Sequence, residues 1–338
     1  MVNPSDKILL AHGSGGVQSR ELIRNLFAHH FSNPALDVLG DSAIIDIPQS
    51  QVAFTTDAYV VKPLFFPGGD IGKLAICGTV NDLAAAGARP LFITAGFIIE
   101  EGTAIAELEK IVSSMADAAR SAGIDIVAGD TKVVERGSCE GMFITTSGVG
   151  QLIAPKPIAP SRIEPGDSIL INGPIADHGV AIMTAREGLA IETPIESDCA
   201  ALNSLTERLI LAVPDTKFMR DATRGGLAAV LCEAAENQGF GIEIDERAIP
   251  LREATLAACE ILGIDPLHVA NEGKLVAFVP AEAADAALAA LKDHPLGREA
   301  AIIGRATKEN AGRVNMVTTL GTSRQILMPS GDLLPRIC

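Results

Sequence analysis

The sequence predicts a mixed α/β protein, α+β in part, built as two domains and a C-terminal tail. Three observations lead there. Strand-like and helix-like apolar patterns alternate along nearly the whole chain, which fits packed layers of sheet and helix. Its 338 residues, 48% of them hydrophobic, suffice for about two cores of ordinary size. The stretch IAPKPIAPSRIEPGD then sets four prolines within residues 153–167 and interrupts all periodicity, as a linker does. The expected division is 1–155, 156–315 and a flexible tail over 316–338.

Each element follows from local composition. Before the break, β-branched and aromatic runs predict strands near 43–47, 52–61, 91–99, 125–128 and 142–149. Helical spacing predicts helices over 19–30, 72–86 and 103–122. After the break come a strand at 168–172, helices at 178–187 and 200–212, and a helix opened by DATRGGL that runs to about Asn237. Strands at 241–245 and 274–279, helices at 251–262 and 281–292, and closing strands at 301–306 and 313–318 complete the pattern. From Met316 onward, β-branched residues mix with Gly321, Pro329, Gly331 and Pro335, so the tail is read as extended and unable to sustain a helix. Fully extended, it would span about 75 Å.

Composition removes several function classes. Twenty-seven basic against 42 acidic residues give a net charge of −15, which opposes binding to a phosphate backbone. With no Trp and one Tyr, stacking platforms for bases are scarce as well. The opening MVNPSDKILLAHGSGG lacks a signal-peptide core, and no later apolar run has the length of a membrane span, so a cytosolic protein is expected. Six scattered cysteines show no CxxC pair and no zinc spacing. Most fit small buried hydrophobes. Cys338 does not, because it is the terminal residue of the irregular stretch DLLPRIC.

Several clusters have residue types suited to phosphate chemistry. His12-Gly13-Ser14-Gly15-Gly16 precedes a helix, where glycines let backbone N–H groups approach an anion, although a flexible turn has the same composition. Asp41, Asp57, Asp82 and Asp130 recur where strands or loops end. Gathered together, such carboxylates call for a hard cation, and Mg²⁺ bridges carboxylates to nucleotide phosphates. Taken singly, each also fits a turn or a helix cap. Lys132 follows Asp130 by two residues and offers a phosphate contact or a proton carrier. Asp221-Ala222-Thr223-Arg224-Gly225-Gly226 can present backbone donors and a guanidinium at a helix start, and Asn271-Glu272-Gly273-Lys274 stands at the mouth of a strand.

The order TTDAYVVKPLFFPGGDIGKLAICGTVNDLAAAGARP resembles the signature of the PurM-like ATP-binding superfamily. Within it, the pieces AHGSGG, GDTKVVE, DATRGGLA, NEGK and the terminal PRIC are similar to the HypE family of hydrogenase maturation factors, the carbamoyl dehydratases, across essentially the whole chain. The resemblance implies two α/β domains, a homodimer paired through the N-terminal domains, and ATP near the domain and dimer junction. By motif match it implies nucleotide contacts at His12, Gly13, Ser14, Gly15, Gly16, Lys73, Asn81, Asp82, Asp130, Thr131, Thr223, Arg224, Gly225 and Gly226. It makes Asp41, Asp57, Asp82 and Asp130 candidate Mg²⁺ ligands, and Cys338, Lys132 and Glu272 candidate catalytic residues.

The resemblance also gives the tail a task. The carbamoyltransferase HypF would load Cys338, ATP would drive dehydration of the carbamoyl group to a thiocyanate, and the cyanide would pass to the HypC–HypD complex for the iron of nickel–iron hydrogenase. Two rival readings remain at this stage: another PurM-like kinase, such as thiamine-monophosphate kinase or selenide, water dikinase, and a noncatalytic thiol carrier. The dikinase normally has a reactive Cys or selenocysteine before the glycine-rich segment, whereas no cysteine here precedes Cys77. A carrier would accept its group without cleaving ATP.

Overall fold

The computed structural model describes residues 7–9, 21–33, 51–186 and 195–328. His12 to Gly16, Asp41, the strand expected near 43–47 and Cys338 lie outside the described residues.

The first half is built on a four-stranded sheet. Its strands are β1 (Val52–Tyr59), β4 (Ala88–Glu100), β5 (Asp125–Val134) and β6 (Met142–Leu152), in the order β1-β6-β4-β5. A two-residue-strand ribbon, β2 (Phe65–Phe66) with β3 (Gly69–Asp70), sits between β1 and the first long helix. β1 and β4 pair antiparallel with β6, whereas β4 and β5 are parallel and joined by a helical crossover. A short helix, α1 (Ala28–Phe31), continues a π-helical turn over Ile23–Phe27. The long helices α2 (Ile71–Ala85) and α3 (Ile105–Ala122) cover one face of the sheet.

The two long helices differ in how they are buried. α3 has an apolar stripe of Ile105, Leu108, Val112, Met115 and Ala119 at helical spacing, and Gly123 ends it in the left-handed conformation. α2 is buried almost all round, the pattern of a helix enclosed on every side. Asp70 caps it by accepting from the N–H groups of Gly72 at 2.8 Å and Lys73 at 3.1 Å.

The second half folds on a seven-stranded sheet ordered β13-β12-β9-β11-β7-β10-β8. These are β7 (Ser168–Ile171), β8 (Phe218–Asp221), β9 (Gly241–Asp245), β10 (Leu275–Val279), β11 (Ala301–Thr307), β12 (Val314–Val317) and β13 (Ser323–Ile326). Its helices are α4 (Asp177–Ala185), α5 (Asn203–Ala212), α6 (Gly226–Ala235), α7 (Glu253–Leu262) and α8 (Ala284–Lys292). The sheet lies between two apolar clusters. Ile169, Ile171, Val276 and Phe278 face one, and Leu170, Leu275, Ala277 and Val279 face the other. This is why β10 is apolar throughout rather than alternating.

The start of the tail requires correction. Met316 is only 2% exposed and lies within β12, which runs parallel to β9 and pairs with β13. Gly321, read as an interruption, is the left-handed turn residue of this hairpin, closed by Thr318 and Thr322. The inward alternation of Val314 and Met316 satisfies the sheet, so the edge hairpin holds the chain through Ile326. The 12 residues that follow Ile326 span at most about 40 Å, not 75 Å.

Candidate active site

The junction between the two halves forms around α2. Asn81 is buried, and its Nδ2 donates to the carbonyls of Ala200 at 3.0 Å and Glu272 at 3.2 Å, while its Oδ1 accepts from Leu202 N at 2.8 Å. One side chain thus ties the first sheet's helix to two loops of the second half. One position further, Asp82 faces β1 and accepts from Thr55 Oγ1 at 2.6 Å.

β1 presents Thr55, Asp57 and Tyr59 to α2, because alternate residues of a strand share a face. Tyr59 OH donates to Asp57 Oδ2 at 3.0 Å and also contacts Thr79, which bonds Thr146 on β6. Gly78 makes this approach possible, since a Cβ there would strike the Tyr59 ring and hydroxyl. Burial raises the Asp57 pKa, and the charge of Asp82 raises it further.

The second half adds charge from β8 and the loop beyond it. Asp221 ends β8 and is pushed up to about 7, first by burial and then by Asp82. Thr223, Arg224, Gly225 and Gly226 follow and open α6, both glycines having positive φ. A Cβ on Gly226 would meet the carbonyls of Val269 and Leu267, so this entry requires glycine. The Arg224 charge acts on Asp57 and lowers its pKa, opposing the effects of burial and Asp82.

Glu272 lies deeper, only 3% exposed. Burial, then Asp221, then Asp198 push its carboxyl well above the usual range. Asp198 behaves oppositely. Burial alone would raise it, but Lys274 at 2.9 Å and the N–H of Glu272 at 3.0 Å hold it below its ordinary value. The motif NEGK therefore supplies a carboxyl of raised pKa beside a buried ion pair.

Other expected site residues lie elsewhere. Lys73 Nζ donates to the Gly68 carbonyl at 2.8 Å, and nine residues of helix, about 13 Å, separate Lys73 from Asp82. Asp130 and Lys132 lie on β5, three strand spacings or about 14 Å from β1. They also point to the opposite face: Asp57 shares a row with Thr146, Ala95 and Gly129, so the next residue along, Asp130, turns away from α2. Thr131 alternates back, with its N–H on Asp130 Oδ1 at 2.9 Å. The expected cluster of Asp41, Asp57, Asp82 and Asp130 is therefore not assembled by the described residues of one copy. Among those residues, no group of three His, Cys, Asp or Glu side chains is placed to hold a metal alone. Asp221, missing from the expected ligand and nucleotide contacts, stands where they do. Its signal was available, since it too ends a strand before a glycine-rich turn.

Comparisons with known proteins agree with this architecture. Residues 39–152 match the model of the AIR synthase related protein N-terminal domain, and residues 164–317 match its C-terminal domain. The chain is therefore an AIR synthase-related, PurM-like protein, with carboxylates from both halves meeting at α2. It is 51% identical to the carbamoyl dehydratase HypE of Rhodobacter capsulatus over 98% of each chain. A crystal structure of the hydrogenase maturation protein HypE in complex with ATP superposes with a TM-score of 0.94 at 47% identity, covering 98% of this chain and 99% of that one. A HypE–HypF complex structure gives 0.80 at 49% identity, covering 91% and 99%. The chain belongs to the HypE family of carbamoyl dehydratases, enzymes of hydrogenase maturation. Among the described residues, no helix is long and apolar enough to cross a membrane.

Proposed function

We propose that this chain uses ATP to dehydrate a carbamoyl group carried on Cys338, giving a thiocyanate whose cyanide becomes an iron ligand in nickel–iron hydrogenase. The observation that supports it best is the convergence of Asp57, Asp82, Asp221 and Glu272 at the junction of the two domains. The ATP complex of a relative at 47% identity supports nucleotide binding here. In our reading, residues 1–155 form one domain, the second runs from 156 through the edge hairpin that ends at Ile326, and the segment beyond it delivers the thiol.

The donor set fits Mg²⁺ held partly by the nucleotide. Two facing carboxylates, Asp57 and Asp82, repel each other and fall short of a protein-only cage, and Mg²⁺ usually takes one or two carboxylates plus phosphate oxygens. When bound, it would neutralise charge on the transferring phosphoryl group. Asp221 and Asp41 remain further candidate ligands. The N–H groups at the start of α6, with Arg224 and the His12 to Gly16 segment, are the proposed phosphate contacts.

Dehydration balances as follows. The carbamoyl oxygen attacks the γ-phosphorus and ADP leaves; the C–O bond then breaks with phosphate as leaving group, while nitrogen loses both protons and C≡N forms. Oxygen that would depart poorly as hydroxide departs as phosphate. Glu272 is proposed to move one of those protons, since a carboxylate whose pKa is raised by burial is a better base than an ordinary one. Lys132 is proposed for the other. It lies on the sheet face opposite α2, which leaves Phe54 72% exposed and is open to a second copy of this chain. We therefore propose a homodimer in which Asp130, Thr131 and Lys132 meet the nucleotide across the paired sheets.

HypF is the proposed loading partner, supported by the complex of a relative at 49% identity, with HypC–HypD as acceptor of the cyanide. A cytoplasmic setting would keep Cys338 reduced. Intact-protein mass spectrometry of the carbamoylated chain tests the reading. Mg–ATP should remove 18 Da, about one water, from the Cys338 peptide, and a nonhydrolysable analogue should remove nothing. Cys338→Ala should take up no carbamoyl group. Dehydration with the analogue would leave the reading untenable.

A further inference from the structure

Behind the carboxylates, α2 and the loop 195–202 bring two cysteines together. Cys77 precedes Asn81 by about one helical turn, and Asn81 grips Ala200 and Leu202. The same register brings Cys199 to the groove that Cys77 lines, and both side chains lie in one buried apolar cluster. They come from different sheets' halves of the molecule, and the proposed chemistry at Cys338 uses neither.

The loop is held firmly at this point. The N–H of Cys199 donates to Ser197 Oγ at 3.1 Å, Ser197 N donates to the Pro67 carbonyl at 2.8 Å, and Asp198 is locked by Lys274. The thiols are 2% and 3% exposed, yet the pair is not sealed. Both line a groove of about 660 Å³ between α2, α3 and this loop, with Lys73, Lys110, Ser113 and Ser114 on its walls. A small oxidant can enter there.

We propose that Cys77 and Cys199 are a redox-modification site, forming a reversible disulfide that fastens α2 to the loop beside Glu272. The oxidant is hydrogen peroxide. The Cys77 sulfur attacks one peroxide oxygen, the O–O bond breaks and water leaves, giving a sulfenic acid at Cys77. Cys199 sulfur then attacks Cys77 sulfur, the S–O bond breaks, and a second water leaves with the Cys199 proton. Two thiols are oxidised by two electrons and one hydrogen peroxide is reduced to two waters. The adjacent Cys77 thiol and burial hold the Cys199 thiol well above its usual range, which makes it a poor nucleophile toward peroxide and suits it to the resolving role. A dithiol reductant reverses the bond by exchange.

The test is independent of the function proposed above. The full-length protein is treated with hydrogen peroxide, capped with N-ethylmaleimide and digested with trypsin without reduction. The expected product joins peptide 74–110 to peptide 187–208, each of which contains one cysteine. It should disappear with dithiothreitol and in Cys77→Ala and Cys199→Ala, and the oxidised protein should unfold at higher urea than the reduced one. If both peptides remain capped as free thiols at peroxide doses that oxidise half of Cys139, the proposal is wrong. A disulfide that joins peptide 187–208 to any peptide other than 74–110 would overturn it equally, by naming a different partner.

Discussion

Replacing Asp221 by asparagine tests the cost of a buried charge at the domain junction. The Asp221 carboxyl is pushed from 3.8 up to about 7 by burial and by Asp82. The native state therefore holds a proton that the unfolded chain has released, throughout the interval from about pH 4 to pH 7. Stability falls as pH rises through that interval and levels off above it. At about 1.36 kcal/mol per pH unit, the whole loss is at most about 4 kcal/mol. Asp221 keeps some solvent contact, which screens it, so about half of that is the reasonable expectation. Asparagine resembles the protonated carboxyl and cannot ionise. Urea unfolding followed by circular dichroism from pH 5 to pH 8 should show the variant gaining on the unaltered protein by about 1–2 kcal/mol up to pH 7, and little beyond. Parallel curves for the two proteins across this range would refute the argument that burial and Asp82 hold Asp221 protonated.

Three further outcomes follow from the site. Asp57→Asn and Asp82→Asn should each weaken Mg–ATP binding roughly tenfold or more, about 1.4 kcal/mol, with the fold retained, as read by calorimetric titration; unchanged affinity in both would remove them from the ligand set. Lys132→Ala and Glu272→Gln should lower dehydration far more than carbamoylation of Cys338, because loading occurs in another enzyme's site, and equal loss of both steps would count against a proton-transfer role. Gly78→Ala should destabilise the first half by about 1–3 kcal/mol, since the added methyl meets the Tyr59 hydroxyl, and an unchanged urea midpoint would show that Tyr59 can move aside.

What was legible in the sequence depended on how local the cause was. The helix over 71–85 and the strand over 241–245 follow from apolar spacing and β-branched composition, and they stand within a residue or so of expectation. β8 and β13 were missed because Phe218–Asp221 and Ser323–Ile326 are too short to show a period, and the pairing that makes each a strand comes from distant residues of β10 and β12. Motif order predicted that Asp57 and Asp82 face each other. It could not tell that Asp130 turns away, because that depends on strand order and register, and register reverses a side chain's face with a shift of one residue.

The charges at the junction are arranged before any nucleotide arrives. Asp57, Asp221 and Glu272 all titrate above their ordinary values, whereas Asp198, a neighbour of Glu272, is held low by Lys274. The contrast follows from partners rather than depth, because Asp198 and Glu272 are both buried and only Asp198 faces an ammonium group. A cation entering beside Asp57 and Asp82 would relieve the same repulsion that raises Asp221, so its binding should release protons near pH 7. One consequence is that affinity for Mg–ATP rises with pH through that region, opposite in sign to the loss of stability. Protein stability and ligand affinity then trade against each other through one set of carboxylates, which is why a neutral residue at Asp221 should steady the fold while weakening the site.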